Sequence, residues 1–187
     1  MKVVLIGDSI RMGYQPHVKR LMPEHEVWGP AQNCRHSGWA HDHFGDWVEA
    51  QQPDLVHFNF GIHDQSRMAD GEPQLLLEQY RLYVQRFIAR LDALGCKRIW
   101  ATTTPLYQVD KHKAQVDWVT REGSAIDAYN AAAREIVEAA GIPINDLHAT
   151  VEASPWHTCI NMDGCHMSPV GNDTLAAAVV AAIRAHI

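Results

Sequence analysis

The sequence predicts an α/β fold, a parallel sheet with helices on both of its faces. Three observations predict it. Short apolar runs recur along the chain and end in glycine or a turn, and segments of helical period separate them. The first run, Val3-Val4-Leu5-Ile6, has no polar alternation, as befits a strand covered on both faces. Strands alternating with helices imply crossover connections, which lay helices against the sheet.

Lys2–Ile6 is the first strand and Gly7 ends it. An apolar-periodic segment with Met12, Val18 and Leu21 follows. Glu26–Trp28 is a weaker strand, bounded by Pro23 and by Gly29-Pro30. Residues 55–60 form a third, closed by Gly61. The next segment, 73–94, places Leu76, Tyr80, Tyr83, Val84, Phe87, Leu91 and Leu94 at three- and four-residue steps, an amphipathic helix. A fourth strand over 98–103 follows the turn at Gly95. Helix 124–140 carries Ile126, Tyr129, Ala133, Ile136 and Val137 on one side, with Gly141 as its stop. A short fifth strand spans 142–145. The last helix, 169–187, has Leu175, Val179, Ile183 and Ile187 in a stripe and Pro169 in its first turn. Residues 107–123 show no period and form a long loop at the carboxyl end of the fourth strand, a place for a pocket wall.

Composition narrows the function classes. The 187 residues fit one domain, and 47% hydrophobic against 20% charged residues suits a packed core. Sixteen basic against 22 acidic residues leave a net charge of −6, which argues against binding nucleic acid through its phosphates. No apolar run approaches the roughly 20 residues that cross a bilayer, so membrane insertion is not expected. The N-terminal apolar stretch is too short for a signal peptide, and cytoplasmic residence is the default expectation. Cys34, Cys96, Cys159 and Cys165 contain no CxxC pair; they are most simply thiols, although Cys159 and Cys165 could bridge a short loop.

In parallel sheets the active groups sit on loops at the carboxyl ends of strands. Ser9, in Gly7-Asp8-Ser9-Ile10, falls at the first strand-to-helix junction. Either Ser9 or Asp8 caps the helix there, or Ser9 is a nucleophile, which requires a base and donors for an oxyanion. Asp163-Gly164-Cys165-His166 precedes the last helix and supplies a base. An Asp three residues before a His can accept the Nδ1–H and leave Nε2 to take a hydroxyl proton.

Gly-Asp-Ser after the first strand and Asp-x-x-His before the last helix together resemble the SGNH (GDSL-type) hydrolase family, over nearly the whole chain from residue 2 to 187. The resemblance implies a three-layer α/β/α sandwich on a five-stranded parallel sheet, the flavodoxin-like SGNH hydrolase fold. It also implies ester hydrolysis, with Ser9 as nucleophile, His166 as general base and acid, and Asp163 orienting it. No metal or cofactor is implied. In the family's second block the backbone N–H of a glycine serves the oxyanion hole, and Gly38, within residues 33–38, resembles it; an ordinary turn glycine is the alternative.

The third block is normally Gly-x-Asn-Asp, its Asn donating to the oxyanion. Here it reads Gly61-Ile62-His63-Asp64. A neutral imidazole has one N–H to offer, so His63 can stand beside the N–H groups of Ser9 and Gly38. The opposite reading is an altered or impaired reaction. Asp64 braces the loop on this reading.

Trp39, Trp118 and Trp156 lie near the motif loops, where each could stack on a substrate or simply pack. His36, His41 and His43 surround Gly38 and are candidates for lining the pocket. His57 reads as a core residue, and His17 and His148 show no partner spacing. His157, Cys159, Cys165 and His166 cluster in sequence but match no standard zinc spacing. The expectation is therefore a serine esterase for short-acyl esters of a small molecule or carbohydrate, O-acetyl groups among them. A thioesterase or acyltransferase of the same fold, or a non-catalytic carbohydrate- or peptide-binding module, are the alternatives.

Overall fold

A computed structural model describes residues 1–107 and 123–187, with the backbone alone at Trp156. Five strands, β1 (Lys2–Ile6), β2 (Glu26–Trp28), β3 (Leu55–Phe58), β4 (Lys97–Ala101) and β5 (Ile144–Asn145), form one sheet in the order β2-β1-β3-β4-β5. Every pairing is parallel. The helices are α1 (Ser9–Leu21), α2 (Ser37–Asp42), α3 (Phe44–Trp47), α4 (Leu77–Leu94), α5 (Gly123–Ala139), α6 (Leu147–Glu152), α7 (Trp156–Cys159) and α8 (Pro169–Arg184).

Alternate residues of β1 serve opposite faces, as the two-residue strand period requires. Val3 and Leu5 join Ile10, Tyr14 and Val18 of α1 and Leu175, Val179 and Ile183 of α8 in one apolar cluster. Val4 and Ile6 join Phe58, Trp100 and the α4 stripe of Tyr80, Val84, Phe87 and Leu91 in the other. The sheet is thus the middle of three layers, and its central strands are buried from Val3 to Ile6 and from Leu55 to Phe58 because neither face meets water there.

The chain leaves β1 through α1 for β2 on one side and returns through α2 and α3 to β3 on the other, so the direction of winding reverses between β1 and β3. Loops after these two strands part there and leave a crevice at the carboxyl edge, the usual ligand position in such sheets. Among the described residues no helix is long and apolar enough to cross a membrane.

Candidate active site

β1 delivers Gly7-Asp8-Ser9 to this crevice. Asp8 caps α1: its Oδ1 accepts the Ile10 N–H at 2.9 Å. With the cap supplied by Asp8, the Ser9 hydroxyl is available, and Oγ lies 2.9 Å from His166 Nε2, across 157 residues of sequence. Beneath the turn, the buried Arg11 donates to the carbonyls of Gly7, Pro30 at 2.7 Å and Gln32 at 2.7 Å. The Cys34 N–H donates to Gly7 O at 3.2 Å. Both contacts pull the loop after β2 onto the serine turn.

His166 sits on a small hairpin closed by an antiparallel bridge between Ile160 and Met167. Asp163 Oδ2 lies 2.6 Å from His166 Nδ1, and its Oδ1 accepts the N–H groups of Cys165 at 3.0 Å and His166 at 2.9 Å. Burial pushes the Asp163 carboxyl up, but these three donors outweigh it and hold it below its ordinary value. An ionised Asp163 assigns the ring proton to Nδ1, so Nε2 accepts from the serine.

The loops after β2 and β3 are bound to each other, and the first is bound to the serine turn through Cys34. Gly38 is the second residue of α2, whose first turn is capped by His36, Nδ1 accepting the Trp39 N–H at 3.1 Å. Asp64 is fully buried, and its Oδ1 accepts both the N–H (2.9 Å) and the Oγ–H (2.5 Å) of Ser37. Burial raises the Asp64 carboxyl to about 6 despite these bonds. Gly61 opens the third-block loop at φ +148°, and a β-carbon there would stand 2.3 Å from Thr103 Oγ1, so only glycine fits. His63 is half-buried, its Nε2 3.5 Å from Asn33 Nδ2. Asn33 and Ser37 lie in the segment that pointed to Gly38, yet the sequence alone assigns them no part, because nothing local shows what faces them.

The remaining candidates divide. Trp39 is half-buried, its ring packed on His43 at 4.1 Å with the Arg35 guanidinium 5.1 Å away. His43 in turn stacks on Trp47 at 4.5 Å, and His36 caps α2, so both hold the α2–α3 segment together. Trp118 and most of the long loop lie outside the described residues, as does the side chain of Trp156. His57 is buried in β3 against the Asn145 amide at 3.1 Å. His17 and His148 do have partners, which are distant in sequence and hence hidden from spacing: Asp173 at 2.5 Å and the Thr103 carbonyl at 2.9 Å. All four cysteines are thiols. Among the described residues no group of three or more His, Cys, Asp or Glu side chains is placed to hold a metal ion.

Comparison with known proteins agrees with this fold. Residues 5–174 match the model of the GDSL-like lipase/acylhydrolase family. No curated protein matches the chain. Among solved structures, a lipase/acylhydrolase from Enterococcus faecalis is similar at a TM-score of 0.82 and 23% identity, covering 98% of this chain and 95% of that one. The acetyl xylan esterase AlAXEase aligns at 0.78 and 18% identity, over 98% and 100% of the two chains. A catalytic mutant of an acetylxylan esterase from Geobacillus stearothermophilus aligns at 0.77 and 20% identity, over 97% and 93%. At these identities the likeness is one of fold.

Proposed function

The chain belongs to the GDSL-like lipase/acylhydrolase family and is an ester-bond hydrolase; from that premise we propose a serine esterase that works through an acyl-enzyme on short acyl groups, acetyl esters of carbohydrates foremost. The observation that carries this reading is the hydrogen-bonded row Ser9–His166–Asp163, at 2.9 and 2.6 Å. Ser9 Oγ attacks the ester carbonyl while His166 Nε2 takes its proton, and Asp163 steadies the imidazolium. The carbonyl oxygen becomes an oxyanion held by the N–H groups of Ser9 and Gly38 and by His63. Collapse of the intermediate expels the alcohol, which His166 protonates. Water, activated by the same imidazole, then releases the acid and regenerates the serine.

Acetyl and carbohydrate enter through the two acetylxylan esterases that share the fold. Turnover of p-nitrophenyl acetate by the parent, lost in Ser9→Ala, tests the chemistry; equal rates in the two proteins would overturn it. A panel of esters varied in acyl length and alcohol, beside acetylated xylo-oligosaccharides, tests the substrate. Preference for long acyl chains, or acyl transfer to an added alcohol in place of water, would replace this reading with a lipase or an acyltransferase.

A further inference from the structure

The two loops proposed to hold the oxyanion leave different strands, β2 and β3, and belong to separate crossovers. Two side chains tie them together in opposite directions. From the β3 loop, the carboxylate of Asp64 grips residue 37 through both the backbone N–H and the hydroxyl. From the β2 loop, the amide of Asn33 reaches Nε2 of His63 at 3.5 Å. Each tie therefore lands next to, or on, a proposed donor: Asp64 adjoins His63 and holds the neighbour of Gly38, while Asn33 touches His63 itself.

We propose that Asp64 and Asn33 are the positioning residues of the oxyanion hole, locking the Gly38 N–H and the His63 ring into one frame. The inference rests on the oxyanion roles given above to residues 38 and 63. The amide orientation of Asn33 follows from its other end. Its Oδ1 accepts the Arg35 N–H at 2.7 Å, which turns the NH₂ group toward His63. An NH₂ group only donates, so the amide of Asn33 offers its hydrogen to Nε2 and holds the ring by that atom. The Asp64 tie has a cost that a simple brace does not require. The Asp64 carboxyl is fully buried, and burial raises it to about 6 although the Ser37 hydroxyl and backbone N–H groups donate to it. Oxyanion donors act through placement, and an error of about 1 Å costs on the order of 10²-fold in rate. That demand accounts for a tie that grips one residue twice.

The test measures kcat and KM for p-nitrophenyl acetate in the parent, Ser9→Ala, Asp64→Ala, Asp64→Asn, Asn33→Ala and Asn33→Asp. Asp64→Ala and Asn33→Ala are expected to lower kcat by about 10- to 100-fold, the scale of a mis-aimed donor, with KM little changed. Asp64→Asn recovers most of its loss, because an amide oxygen accepts the same two hydrogens from Ser37. Asn33→Asp recovers nothing, because a carboxylate has no proton for Nε2. Parent-like kcat in folded Asp64→Ala and Asn33→Ala, or losses confined to KM, would overturn the proposal while the Ser9→Ala control still upheld the esterase. Should Asp64→Ala not fold, the half-exposed Asn33 pair decides alone, by its effect on kcat against KM.

Discussion

His63 is the residue at which this chain departs from its family's pattern, and its chemistry makes a sharp prediction. A side-chain donor to an oxyanion acts mainly in the transition state. His63→Ala is therefore expected to lower kcat by about 10²–10³-fold, the usual scale for one lost donor, with KM nearly constant. His63→Asn restores an N–H and keeps far more activity. Steady-state kinetics on one acetyl ester check both, and a His63→Ala enzyme as fast as the parent removes the residue from the mechanism. At this scale the sequence was informative wherever a motif is contiguous. Asp163 and His166 are three residues apart, and Gly38 and His63 lie at expected distances from their strands. It was silent on Asn33, Ser37 and Arg11, whose partners lie 30, 27 and up to 23 residues away and come into reach only when loops pack.

At the scale of elements, the hydrophobic periods located each strand and long helix but overran some of their ends. The helix expected from residue 73 begins at Leu77, because residues 73–76 answer to the third-block loop instead. Gln74 donates to Ser66 O, Leu75 donates to Asp64 O, and Pro73 bridges Arg67. The third strand stops at Phe58 rather than 60, since Asn59 turns its amide to the Ala101 carbonyl at 2.7 Å. The short helices α2, α3, α6 and α7 escaped notice, because four to six residues cannot display a period. One of them makes a prediction. Gly171 in α8 lies so close to α7 that a β-carbon would fall 2.0 Å from the Cys159 carbonyl oxygen, a backbone atom that cannot step aside. Gly171→Ala is expected to destabilise the protein by about 1–3 kcal/mol or more, as overpacking does. It should also lower kcat, because Cys159 O accepts the Ser168 N–H just beyond His166. Urea midpoints and esterase rates measure the two effects; a parent-like midpoint would contradict the packing.

For the whole molecule, two buried groups with opposite habits shape stability against acid. Burial lowers His57 from 6.5 to about 4. Between those values the unfolded chain binds the proton and the folded one does not, so stability falls as pH drops from about 6.5 toward 4. Burial raises Asp64 from 3.8 to about 6. There the folded state binds the proton first, so this group favours folding at low pH and loses that contribution as pH rises from about 4 through 6. Over the same window the two offset each other. Asp64→Asn removes one side of the balance, and its urea midpoint is expected to fall more steeply than the parent's between pH 6.5 and 4.5. Parallel pH profiles for the two proteins would refute this. Asp163, held low, matters only in stronger acid, below about pH 4, where its protonation releases three hydrogen bonds.

Read alone, the amino-acid order was enough for the layered parallel architecture and the family, and it named a serine, a histidine and an acid as the candidates for a proposed triad. Burial and secondary structure leave a local imprint, since a side chain's polarity must match the face its backbone period presents. What only the folded chain decided was which groups touch. The approach of residue 9 to residue 166, the capping of α1 by Asp8 rather than Ser9, and the crossed ties of Asp64 and Asn33 depend on loop paths set by close packing across the sheet. No period encodes such a path, because it arises from contacts between segments remote in sequence.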